Sequence, residues 1–141
     1  MDRLSSIGIL AARILLSGIF LFSGTTKIFA FAQTQTYMAN AGMHMTGLFI
    51  VLAILFELGG GLMLLLGYYP RLGALVLILF LIPTTIVFHR NLYVGLQAAQ
   101  FAKNLAILGG LLAIVAVGGG EFSLSRPRTR EPGRTREPGR S

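Results

Sequence analysis

The sequence predicts an all-α integral membrane protein: an antiparallel four-helix transmembrane bundle followed by a disordered basic tail. Three observations carry that prediction. Of 141 residues, 54% are apolar and only 12% are Asp, Glu, Lys or Arg, about half the charged share of an ordinary soluble domain. Mean hydropathy is +0.73, and a soluble fold of this composition would expose large apolar patches. Finally, the apolar residues form four continuous runs able to cross a hydrocarbon core of about 30 Å at about 1.5 Å per residue. Runs such as IVLAILF and LVLILFLI lack the in-out alternation of an outer-membrane strand, so helices satisfy the backbone instead of a β-barrel.

The membrane domain is expected over residues 1–125 and the tail over residues 126–141. The first span is predicted from about Ile7 to Ala30. Its start resembles a secretory signal, with Arg3 and Arg13 ahead of an apolar stretch from Ile14 to Thr26 and an AFAQ cleavage-like site at Ala30 to Gln33. Lys27 interrupts the approach to that site, and the helix carries polar residues placed for packing, so it is read as retained. Phe31 to Met45 has no Lys, Arg, Asp or Glu and reads as an uncharged outer loop, with His44 near its end. The second span is predicted from about Thr46 to Tyr69. YYPR at Tyr68 to Arg71 then places interfacial tyrosines before a proline turn into the third span, about Leu72 to Phe88. Pro83 should kink that helix, with the hydroxyls of Thr84 and Thr85 bonding upstream carbonyls. HRNLYVGLQAAQFA, His89 to Ala102, reads as too polar to cross and is expected along the outer interface. The fourth span is predicted from about Lys103 to Gly120. The tail repeats RTREPG, whose Pro and Gly prevent a helix and whose arginines suit anionic lipid.

Formal net charge is +7, but the tail holds six of the twelve Lys and Arg and two of the five acids. Clustered cations on a soluble surface are missing elsewhere, which argues against nucleic acid. Without cysteine the chain has no disulfide, thiolate nucleophile, c-type haem attachment or cysteine-ligated cluster. His44 and His89 are the two histidines and neither lies in a metal-binding motif, so no metal is expected. Arg3, Arg71 and the tail arginines load one side of the bundle, against Lys27, Arg90 and Lys103 on the other. That bias predicts both termini inside the cell.

At about 100° per residue, Arg13, Ser17, Gly24 and Lys27 fall within an arc of about 80° on the first helix. Ala53, Glu57, Gly60, Gly61 and Tyr68 share a side of the second; Lys103, Ala106, Gly110, Ala113 and Val117 share one of the fourth, with Asn104 a step away. Glu57 is expected near mid-membrane, where a lone carboxylate is costly, so it should be paired or protonated; Arg13 is the expected partner. At the outer rim, Lys27, His89, Arg90, Lys103 and Asn104 are candidates for binding a small anion or a quinone headgroup. Independent snorkelling of the cations is the plainer alternative.

Three blocks, RILLSGIFLFSGTTKI (Arg13 to Ile28), FELGGGLMLLLGYYPRLGAL (Phe56 to Leu75) and FAKNLAILGGLLAIVAVGGGEFSL (Phe101 to Leu124), together resemble the DoxX family of small bacterial inner-membrane proteins. The tail lies outside that pattern. The resemblance implies a four-helix inner-membrane protein with Arg13, Lys27, Glu57, Lys103 and Asn104 as its patterned polar positions. It also implies association with oxidoreductase systems, since family members include a membrane subunit of a thiosulfate to quinone oxidoreductase and a membrane partner in an oxidative-stress complex. With no Cys, nucleotide motif or haem ligand pair, this chain is expected to be no enzyme alone. It would supply a quinone site or anchor a redox partner, among membrane lipids and with a second copy of itself as a further candidate partner. A small permease and a purely structural membrane protein are the competing readings.

Overall fold

The computed structural model describes residues 3–88 and 95–125. Among these residues five helices follow in order: α1 Arg3–Phe29, α2 Phe31–Asn40, α3 Thr46–Leu66, α4 Pro70–Phe88 and α5 Gly95–Val117. Four of them, α1, α3, α4 and α5, are long and apolar enough to cross a membrane. They form a ring in which α1 packs on α3, α3 on α4, α4 on α5, and α5 back on α1 in the slightest of the four contacts. Phe20, Leu64, Ala74, Leu77, Leu81, Leu111 and Ile114 fill the centre. The outside is as apolar as the inside: Leu15 is 76% exposed, Phe22 75% and Leu79 65%. Such a surface is stable against lipid and not against water.

The bundle has two different ends. At one, called here the Arg13 end, lie the start of α1, the α3–α4 turn and the end of α5. At the other, the Lys27 end, lie the end of α1, all of α2, the start of α3 and the end of α4.

Close helix approach sets the α3–α4 pair. A Cβ on Gly73 would meet Met63 Cβ at 2.9 Å and the Gly60 carbonyl at 3.1 Å, so only hydrogen fits between these backbones. The turn that follows α3 needs glycine for another reason. Gly67 has φ 68°, the left-handed geometry that ends a helix, and the Tyr68 amide donates back to the Met63 carbonyl at 3.0 Å. Pro70 opens α4, where its missing N–H is no loss. Farther along, α4 runs through Pro83, and Thr84 and Thr85 donate to the Phe80 and Leu81 carbonyls at 2.8 and 2.7 Å.

Three expectations need correction. The stretch read as an outer loop is largely the helix α2: it has no Gly or Pro before Gly42, where φ is 81°, and Thr34 and Thr36 bond back to the Ala30 and Ala32 carbonyls. The fourth span begins eight residues earlier than predicted, at Gly95, because Gln97 and Gln100 ride on the same helix and do not end it. Its inward face also differs. Asn104, Leu111 and Ile114 are buried, whereas Ala106 and Ala113 are exposed, since branched side chains fill the core and alanine gives little to bury. The tail, residues 126–141, lies outside the described residues.

Candidate functional site

Glu57 sits in the middle of α3 with 3% of its surface exposed. Its partner is Lys27. The Lys27 ammonium lies 2.9 Å from Glu57 Oε2 and donates to Glu57 Oε1 at 3.1 Å and to Ser23 Oγ at 2.7 Å. Ser23 in turn donates to Oε1 at 2.9 Å. The ammonium thus lies against both carboxylate oxygens, at 2.9 and 3.1 Å.

The expected Arg13–Glu57 pair is therefore not formed. Ser23 is the residue of α1 level with Glu57, and Arg13 lies ten residues away, about 15 Å along the helix axis. Side-chain direction brings Lys27 in instead. Cα–Cβ bonds lean toward a helix's N-terminus, so Lys27 leans back along α1 while Glu57, on the antiparallel α3, leans toward it. Ser23 was missed as a site residue; its signal was the four-residue spacing from Lys27, which puts both on one face.

Arg13 has a different task. It is 1% exposed and donates to four carbonyls: Nε to Leu64 at 2.8 Å, Nη2 to Leu65 at 2.7 Å, and Nη1 to Gly119 at 2.9 Å and Phe122 at 3.1 Å. Leu64 and Leu65 are among the last carbonyls of α3, which carry the negative end of its dipole. The same knot holds Ser123 and Ser125, both donating to the Gly67 carbonyl, at 3.2 and 3.1 Å. Arg13 thus pins the chain after α5 beneath the α3–α4 turn.

Between Glu57 and the Lys27 end lies a cleft of about 600 Å³, within the range of small-molecule sites. All five helices line it. Its walls are mainly Phe, Leu and Ile, and its polar groups include Lys27, Glu57, Lys103 and Asn104. The structure thus brings Lys27, Lys103 and Asn104 around one space and adds Glu57 to it. Asn104 Nδ2 donates to Thr85 Oγ1 at 2.9 Å, while Lys103 is exposed at the rim. Helix α2 contributes Thr34, Tyr37 and Met38, and Tyr37 stacks on Phe88 with ring centres 5.3 Å apart. That contact ties α2 to the end of α4. His89 and Arg90, also expected at this rim, lie outside the described residues.

Comparison with known proteins agrees with this architecture. The DoxX family model matches residues 8–90, which include Arg13, Lys27 and Glu57. The chain is 40% identical over 126 residues to the inner membrane protein YqjF of Escherichia coli (strain K12), covering 89% of this chain and 95% of that protein. It is 31% identical over 123 residues to the inner membrane protein YphA of the same organism, covering 84% of this chain and 88% of that one. No solved structure matches the chain significantly. The family match over more than half of the sequence and the nearly end-to-end likeness to YqjF meet a bundle of four lipid-length helices, and the chain accordingly belongs to the DoxX family as a multi-pass inner-membrane protein.

Proposed function

We propose that this protein is a noncatalytic membrane component of a redox or oxidative-stress system, and that its cleft receives the headgroup of a membrane quinone. The carrying observation is the cleft itself: about 600 Å³ of mainly apolar wall with Lys27, Glu57, Lys103 and Asn104 among its polar groups. An amphiphile with a polar ring and an apolar chain fits such chemistry. A bare anion fits it less well, because Lys27 is already neutralised by Glu57 and the walls offer little to solvate charge. The apolar outer faces of the helices leave an amphiphile's chain free to lie in lipid. In this reading the Lys27 end faces out of the cell, both termini lie in the cytoplasm, and any electron-transfer centre belongs to a partner docked on the bundle.

The test is direct binding. Full-length protein in mild detergent is titrated with a short-chain quinone poised fully oxidised and, separately, fully reduced. Saturable binding of at least one form is expected, weakened severalfold by Lys103→Met and by Asn104→Leu. Failure of both forms to bind, or unchanged binding by both variants, would overturn the headgroup reading.

A further inference from the structure

The methionines of this chain are unevenly placed. Of the five, all but Met1 and Met63 fall in the eight residues Met38 to Met45 that end α2 and lead into α3, and His44 stands between Met43 and Met45. The turn brings two of them together. Gly42 takes φ 81°, and the Gly42 and Met43 amides donate back to the Ala39 and Met38 carbonyls at 3.0 and 3.1 Å. In this closure of a helix end, residues placed as Met38 and Met43 are the pair whose side chains commonly meet, and both line the cleft. Met45 has φ 55°, a left-handed conformation that is costly for a residue with a Cβ, and it is 70% exposed. Neither burial nor a side-chain cap accounts for a methionine there. His44 is exposed as well, and no hydrogen bond or ion pair with the described residues engages its imidazole.

We propose that this turn is a soft-metal site, at which the thioethers of Met38, Met43 and Met45 and the imidazole of His44 bind one Cu(I) ion. The expectation of no metal rests on histidine and cysteine, the ligands of zinc sites; thioethers are neutral soft donors, and together with imidazole they suit Cu(I). The charges point the same way. The acids among the described residues are Glu57, already paired with Lys27, and Glu121 at the Arg13 end, so the turn has no carboxylate to hold a hard divalent cation. A soft monovalent ion needs none. Cu(I) has a filled d shell and imposes no strict geometry, so donors from one short turn can close on it, the unbranched methionine side chains supplying the reach. The site is independent of what the cleft receives, although Met38 and Met43 belong to the cleft wall.

The experiment uses full-length protein with isotope-labelled methionine methyls in mild detergent, titrated under anaerobic conditions and followed by NMR. The probes are Cu(I), its redox-inert counterpart Ag(I), and Zn(II). Met63, about 27 Å from Met45 along α3, is the internal control. The methyl signals of Met38, Met43 and Met45 are expected to shift with Cu(I) and with Ag(I) and to stop shifting at one equivalent, while Met63 stays in place and Zn(II) moves none of them. This comparison within the unsubstituted protein needs no variant to fold. Replacing Met43 and Met45 together by Leu keeps bulk and apolarity and is expected to weaken Ag(I) binding at least about tenfold, as is His44→Gln. Absence of saturation at one equivalent, or a Met63 signal that shifts along with the others, would overturn the proposal, and so would unchanged Ag(I) binding by both variants.

Discussion

Arg13 and Glu57 show how two buried charges in one bundle are satisfied by different means. The guanidinium meets carbonyls only, and it does so where helix ends leave carbonyls unpaired; its planar fork reaches four of them, which an ammonium could not. Glu57 has a true counter-ion in Lys27. Removing either member of that pair strands the other in low dielectric, so Lys27→Met and Glu57→Gln should each destabilise by up to about 3 kcal/mol, and the double substitution by less than their sum. Arg13→Lys should also destabilise, but additively with Glu57→Gln, because the sites share no partner and lie beyond coupling range. Detergent thermal melts of the two cycles check this; coupling between Arg13 and Glu57 without coupling between Lys27 and Glu57 would contradict the structure. That Glu57 must face inward was legible from its cost in lipid. Which cation it meets was not, since helical periodicity gives the face of a residue and not its level against a neighbouring helix.

At the scale of elements, glycine placement decides how closely α3 and α4 approach. Gly73→Ala would press a methyl against Met63 Cβ and the Gly60 carbonyl, neither of which can swing away, and should destabilise by about 1–3 kcal/mol. Gly109→Ala, on α5, meets nothing within 4 Å and should be neutral or slightly stabilising through helix propensity. Equal melting temperatures for the two variants would show that the α3–α4 contact is looser than described. Most of the inward faces of α1 and α3 could be read from sequence: Arg13, Ser17 and Gly24, and Ala53, Glu57, Gly60 and Gly61, are all buried, because the charged groups must avoid lipid and fix the face, whereas Tyr68, read on the same side, lies past the end of α3 and is exposed. The face of α5 could not, since alanines are tolerated equally inside and toward lipid and the core chose Leu111 and Ile114. Helix α2 was hidden for a related reason. Its ten residues are uncharged and mixed in polarity, and only packing, through buried Met38 and the Tyr37–Phe88 stack, distinguishes them from a polar loop.

For the whole molecule, charge predicts which end faces the cytoplasm, chiefly through the tail. Arg3 and Arg71 lie at the Arg13 end and six further arginines follow in residues 126–141, whereas the Lys27 end carries Lys27 and Lys103. Lys and Arg near span ends resist translocation, so the arginine-loaded end should stay inside. The protein contains no cysteine, which makes single-cysteine labelling free of background. Asn40→Cys, at the exposed end of α2, should react with a membrane-impermeant maleimide in intact cells. Glu121→Cys, exposed beyond α5, should react only after the membrane is opened; the reverse pattern would invert the bundle and turn the cleft toward the cytoplasm. Removing residues 126–141 leaves the cations at the two ends nearly balanced. The truncated chain should therefore label at both positions in a mixed population, and unchanged one-sided labelling would mean that orientation is set by features other than the tail.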